Sequence, residues 1–123
     1  MNCTEEKIYN QFKEILFNRK SGFSIKHDSI RREKQSVICS YRGNDIFTVD
    51  TENKTLIIDT CGWFTKTTKS RLNCYLYFYG YSIRQTKGTW QLLKNSVVKC
   101  SVNSRVKIDM NYGMDIYEFN LEF

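Results

Sequence analysis

From Val37 to Asp59 the chain is three short apolar-rich runs cut by two tight turns, and an antiparallel meander is the arrangement that satisfies this pattern most simply. Val37 to Arg42 reads as a strand, Gly43-Asn44 as a turn, and Asp45 to Asp50 as a second strand. Thr51-Glu52-Asn53 turns the chain into a third strand, Lys54 to Asp59. Each run is too short for a stable helix and is rich in β-branched and aromatic residues. The same grammar returns downstream. Tyr81 to Thr86, a turn at Lys87-Gly88, and Thr89 to Leu93 read as a hairpin. Val97 to Val102, a turn at Asn103-Ser104, and Arg105 to Met110 read as another. Asn111-Tyr112-Gly113 turns the chain again, before a last strand in which Tyr117, Phe119, Leu121 and Phe123 alternate with Glu118, Asn120 and Glu122. The spacing predicts roughly seven or eight strands in a mostly antiparallel sheet.

Two segments carry helical spacing instead. In residues 4–18, Ile8, Phe12, Ile15 and Leu16 fall at i, i+4, i+7 and i+8. Thr4 can cap the start, Glu5 and Glu6 suit the first turn, and Gly22 ends the segment. In the second, Leu72, Tyr75, Leu76 and Tyr79 form the stripe, Thr67 or Thr68 is the expected N-cap, and Gly80 closes it. The alternation of Tyr75, Tyr77, Tyr79 and Tyr81 offers a strand as the competing reading; cap, stripe and closing glycine favour the helix. Residues 24–35, with Arg31-Arg32-Glu33-Lys34, are polar and charged, and read as a loop or an irregular strand. The expected class is α+β, two helices packed on a mostly antiparallel sheet of hairpins. At 123 residues the expectation is a single domain, 1–123.

Charge is unevenly placed. Between Asp59 and Asp109 there is no acidic residue, yet Lys66, Lys69, Arg71, Arg84, Lys87, Lys94, Lys99, Arg105 and Lys107 fall in that interval. The overall +6 is therefore +9 in one block and −3 elsewhere. A one-signed block of this kind points to a polyanionic or acidic partner, nucleic acid being the commonest. Trp63, Tyr75, Tyr77, Phe78, Tyr79 and Tyr81 lie inside it, and interleaved aromatics and cations can stack bases while pairing phosphates. One helix cannot point four tyrosines the same way, so about half of these are expected in the core, Trp63 among the core residues.

Several classes of chemistry lack support. The five cysteines, Cys3, Cys39, Cys61, Cys74 and Cys100, lie far apart with no Cys-x-x-Cys pair. His27 is the single histidine. This argues against a zinc site and against a disulfide scaffold, and predicts reduced, mostly buried thiols in a cytoplasm. Cys61 could act as a nucleophile only with a base beside it, and a buried thiol is the expectation. Asp45, Asp50, Glu52 and Asp59 are expected on the exposed surface of the meander, without metal-ligand spacing. No catalytic residue, metal or cofactor is expected. The acidic, polar N-terminus is unlike a signal peptide, and no apolar run approaches membrane-spanning length. Alanine and proline are both absent while Lys, Asn, Ile, Tyr and Phe are plentiful, a bias that suggests an AT-rich genome.

Near the start of the acid-free block stands the string Gly62-Trp63-Phe64-Thr65-Lys66-Thr67-Thr68-Lys69-Ser70-Arg71-Leu72-Asn73. It should leave a strand, turn at Cys61-Gly62 and enter the second helix. There, outward N–H groups, three threonine hydroxyls and three cations suit a phosphate or carboxylate. It is not a Walker A loop, having one glycine only. The string resembles a motif of small bacteriophage proteins of unassigned function. In those it similarly follows a strand like Thr55-Leu56-Ile57-Ile58-Asp59 and precedes a helix and a hairpin with a tryptophan, matched here by Trp90. The resemblance spans about Thr55 to Leu93 and implies a phage or mobile-element origin. Such proteins often show two glycines before the tryptophan, where this chain has Cys61-Gly62.

The candidate binding residues are Thr65, Lys66, Thr67, Thr68, Lys69, Arg71, Asn73, Arg84 and Lys87. The expected role is a non-catalytic phage effector in the host cytoplasm that binds a host protein or nucleoprotein complex, such as a CRISPR or restriction system. No membrane is involved. The alternatives are a direct DNA- or RNA-binding protein of phage replication or transcription, and a small metal-independent ribonuclease using Lys, Arg and Tyr.

Overall fold

In the computed structural model, residues 1–110 and the backbone of 116–120 are described. The described residues form two α-helices and ten strands: α1 (Cys3–Leu16), β1 (Gly22–Ile25), β2 (Asp28–Glu33), β3 (Ser36–Tyr41), β4 (Asn44–Asp50), β5 (Thr55–Asp59), α2 (Lys66–Leu76), β6 (Tyr81–Thr86), β7 (Thr89–Lys94), β8 (Val97–Ser101), β9 (Arg105–Asp109) and β10 (Ile116–Asn120). The fold is α+β, as the spacing predicts, but the strands divide into two antiparallel sheets. The larger runs β1-β2-β3-β4-β5-β9-β10 and the smaller β6-β7-β8.

Of the two readings of residues 24–35, loop or irregular strand, the strand holds: they complete the β1–β2 hairpin, with Phe23 opposite Ile30 and Ile25 opposite Asp28. The charged run is nonetheless a strand. Arg31 lies across from Ile38 of β3 and reaches Asp45 of β4, and Arg32 donates to the carbonyls at the end of α1. Cross-strand pairing and end-capping of a helix outweigh low β-propensity here. The expected hairpin between Val97–Val102 and Arg105–Met110 is corrected. β8 pairs with β7, and β9 crosses into the large sheet beside β5, so Asn103-Ser104 is a passage between sheets. The turn expected at Asn111-Tyr112-Gly113 and the end of the last strand, 121–123, lie outside the described residues.

The cap of α1 lies two residues before the expected Thr4. Asn2 is the N-cap, its side chain accepting from the Glu5 N–H at 2.8 Å while Glu5 accepts from the Asn2 N–H at 2.9 Å. Ile8, Phe12 and Ile15 are fully buried along its stripe. On α2 the expected stripe faces the core, with Leu72, Tyr75 and Leu76 at 0% exposure. The helix tightens into a 3-10 turn at Tyr77–Tyr79, and Gly80, at φ +78°, ends it in the left-handed conformation where a Cβ would press on Asn95 Oδ1.

One hydrophobic cluster joins these elements. It takes Ile8, Phe12 and Ile15 from α1, and Val37, Cys39, Phe47, Val49, Leu56, Ile58, Val106 and Ile108 from one face of the large sheet. Leu72, Tyr75 and Leu76 come from α2, and Tyr81, Ile83, Trp90 and Leu92 from the small sheet. Phe47 and Tyr75 stack with centroids 5.7 Å apart and Phe12 tilts onto Tyr75 at 5.3 Å. Each such side chain contributes about 1.5–3 kcal/mol through burial. Two polar ties add direction. The ion pair of Arg71 Nε with Asp28 Oδ1, 2.9 Å, locks α2 to the β1–β2 hairpin, and the Ser70 hydroxyl donates to Glu5 of α1.

Candidate functional site

Antiparallel pairing decides what gathers at the motif. Phe47 of β4 faces Ile58 of β5, so the start of β4 lies beside the end of β5. The β3–β4 turn at Arg42-Gly43 therefore stands at the same end of the sheet as the exit from β5 towards α2. The Cys61 thiol confirms the proximity, sitting 3.7 Å from the Asp45 carbonyl.

The exit is a tight turn. The Trp63 N–H donates to the Thr60 carbonyl at 2.8 Å, and the two central residues, Cys61 and Gly62, have φ of +53° and +80°. Both positions of such a turn favour glycine. Cys61 holds the first position at a conformational cost. The turn throws Trp63 and Phe64 outward. Trp63 is 57% exposed, contrary to the core position expected for it, and Phe64 is 49% exposed while resting edge-on against buried Trp90 at 5.0 Å.

Thr65 then caps α2, not Thr67 or Thr68. Its backbone is extended (φ −97°, ψ 158°), and its hydroxyl oxygen accepts from the Thr68 N–H at 3.2 Å. Thr68 is buried, with its hydroxyl 2.9 Å from that of Thr65. Between this helix start and the β3–β4 turn opens a cleft of about 530 Å³, lined by Tyr41, Arg42, Asn44, Ile46, Trp63, Thr65, Thr67 and Thr68. The volume lies within the range of small-ligand clefts, about 300–1,000 Å³. Among the described residues its lining contains one cation and no carboxylate. The Arg42 guanidinium lies 5.6 Å from the Tyr41 ring centroid and its Nε donates to the Tyr41 hydroxyl at 3.3 Å. His27 stands edge-on to the same tyrosine, centroids 6.4 Å apart.

The structure sorts the nine candidate residues. Thr65, Thr67 and Thr68 line the cleft. Lys66 and Lys69 stand at i and i+3 on one flank of α2 and are not among the residues lining the cleft. Arg71 and Asn73 hold the fold together: Arg71 pairs with Asp28, and Asn73 bonds both backbone groups of Ile83. Arg84 is exposed on the small sheet, bonded to Gln91, and Lys87 is at the tip of the β6–β7 hairpin. Arg105 and Lys107 lie on the open face of the large sheet, opposite Asp59 and Ile57. The acid-free stretch of sequence is thus not one basic surface. Tyr41, Arg42 and Asn44 are cleft residues that the motif did not reveal, since only the sheet register brings them to it.

Burial and neighbouring charge disfavour the thiolate at several of the cysteines. Cys61 is exposed as a residue, contrary to the burial expected of it, yet desolvation and then the Asp59 charge push its thiol up to about 11. Burial likewise pushes Cys74 up to about 12 and Cys100 up to about 11. Among the described residues no cluster of His, Cys, Asp and Glu is arranged to hold a metal ion, and no helix is long and apolar enough to cross a membrane.

A family model described as the Kyanoviridae Gp96 protein matches residues 5–113, most of the chain including the whole cleft. The chain belongs to this family of phage proteins. The Gp96 match extends well beyond the Thr55–Leu93 segment of the sequence resemblance and takes in α1 and the β3–β4 turn. No curated protein and no solved structure matches.

Proposed function

We propose that this phage protein is a non-catalytic effector that docks on a nucleic-acid-processing complex of its host, of the kind that carries out CRISPR or restriction defence, through the cleft end of the molecule. The observation that carries the reading is the exposure of Trp63 in the lining of a cleft that, among the described residues, holds Arg42 and no carboxylate, with exposed Phe64 next in the chain. Exposed Trp and Arg side chains around a concavity are the usual anchors of a binding site. Arg42 in the lining and Lys66 and Lys69 on the adjoining helix flank give that end a positive sign suited to a nucleoprotein.

The test is a pull-down from host lysate with the parent protein and with Lys66→Glu combined with Lys69→Glu. The parent will retain a nucleic-acid-processing assembly, and the double variant will lose it while keeping the parent's circular dichroism. Retention of no such assembly by the parent refutes the reading, and equal retention by the double variant moves the contact away from the motif.

A further inference from the structure

The chemistry of the cleft identifies what part of such a partner it can hold. We infer that the cleft takes one nucleotide of a single-stranded nucleic acid, its base against Trp63 and its phosphate beside Arg42. The inference rests on the reading above for the partner, and names the moiety bound.

Three observations converge. First, the lining divides into an apolar part and a polar part. Tyr41, Ile46 and Trp63 supply π and aliphatic surface, and Arg42, Asn44, Thr65 and Thr67 supply side-chain donors. A nucleotide has that same division. Second, among the described residues the lining carries no acidic side chain. The nearby carboxylates are already engaged: Asp45 is held by Arg31 and Ser40, and Asp59 accepts the Cys61 N–H at 2.9 Å. An anion entering the cleft therefore meets Arg42 without repulsion from the wall. Third, the motif extends past the cleft. Trp63 lines the cleft, and the chain runs from it into α2, whose first turn carries Lys66 and Lys69 on one flank, so these are the cations available to a strand that leaves the cleft along the helix start. Stacking aromatics beside a cationic track are how sequence-tolerant single-strand sites are built. A duplex presents no unstacked base to an indole of this kind, and a free mononucleotide makes no use of the Lys66–Lys69 flank.

The experiment uses the purified full chain and a labelled oligothymidylate or oligouridylate of about a dozen nucleotides, read by fluorescence anisotropy. Binding is expected, with affinity falling as salt rises. Trp63→Ala and Arg42→Asn are each expected to weaken it by about tenfold, the scale of one lost stacking or phosphate contact. Both sites are exposed, and asparagine tolerates the left-handed backbone at position 42 (φ +52°), so thermal melts will show both variants folded. Parent-like binding by both variants, equal binding of a duplex, or equally tight competition by a mononucleotide overturns the inference. If no oligonucleotide binds but the host assembly is still captured, the inference falls and the docking reading stands. If oligonucleotides bind in the expected pattern and no assembly is captured, the inference holds and the docking reading falls.

Discussion

Asn73 of α2 both donates to the Ile83 carbonyl, at 3.0 Å, and accepts from the Ile83 N–H, at 2.6 Å, so that one side chain substitutes for a missing strand neighbour at the edge of β6. The amide is the one group that can match both partners at once. Asn73→Ala will leave both backbone groups without it in a part-buried setting. The expected loss is about 2 kcal/mol of stability, measured by urea unfolding. A loss under about 0.5 kcal/mol would mean that water replaces the amide without penalty.

The two tryptophans should behave oppositely. Trp90 is 2% exposed in the cluster, and Trp90→Ala will cost about 3–5 kcal/mol. Trp63, 57% exposed, is held by little, and Trp63→Ala will change stability by no more than about 0.5 kcal/mol. The same denaturant series checks both, and a large loss from Trp63→Ala would show the indole to be structural.

Cys61 occupies a left-handed position (φ +53°) that costs a non-glycine residue about 1–2 kcal/mol. Glycine there removes that strain and gives back about 0.5–1 kcal/mol in chain entropy. Cys61→Gly is therefore expected to raise stability by about 0.5–1 kcal/mol, visible as a higher melting temperature. A lower one would show that the Sγ contacts to the Asp45 and Asp59 carbonyls outweigh the strain.

Acid will act on two opposed sets of carboxylates. The Asn2 backbone and Ser70 lower Glu5, Arg31 lowers Asp45, and Asn53 lowers Asp50, so their stabilisation is present above the ordinary carboxylate values of 3.8 and 4.5 and lost as pH falls through the lower folded values. Asp28 is raised, by desolvation against the opposing pull of Arg71. It takes up its proton in the folded state first, so its contribution has the other sign: stability gained as pH falls from its raised folded value to its ordinary 3.8. Asp28→Asn will therefore make the acid-side loss of stability steeper than in the parent. Unfolding measured at a series of acid pH values checks this, and a shallower slope contradicts the assignment.

How much of this was legible along the chain depended on range. The meander Ser36–Asp59, both helices and the Lys87-Gly88 hairpin are written in local periods and turn residues, which act over a few neighbours. Local signals left the reading open or wrong where distant partners decide. The Arg31-Arg32 run is a strand because Ile38, Asp45 and the end of α1 receive it. β9 leaves its sequence neighbour because β5 offers a fully buried pairing for Val106 and Ile108.

The sequence alone determined the α+β class, the motif at the entrance to α2 and the likeness to phage proteins, since these rest on composition, short-range spacing and a contiguous string. Only the tertiary structure decided which cations share a surface, that Trp63 faces solvent while Trp90 is buried, and that Tyr41, Arg42 and Asn44 complete a cleft with Thr65 and Thr67. The reason is geometric. Alternate residues of a strand point to opposite faces, and antiparallel register brings together side chains some twenty positions apart, so a one-dimensional block of charge carries no information about the surface on which each charge emerges.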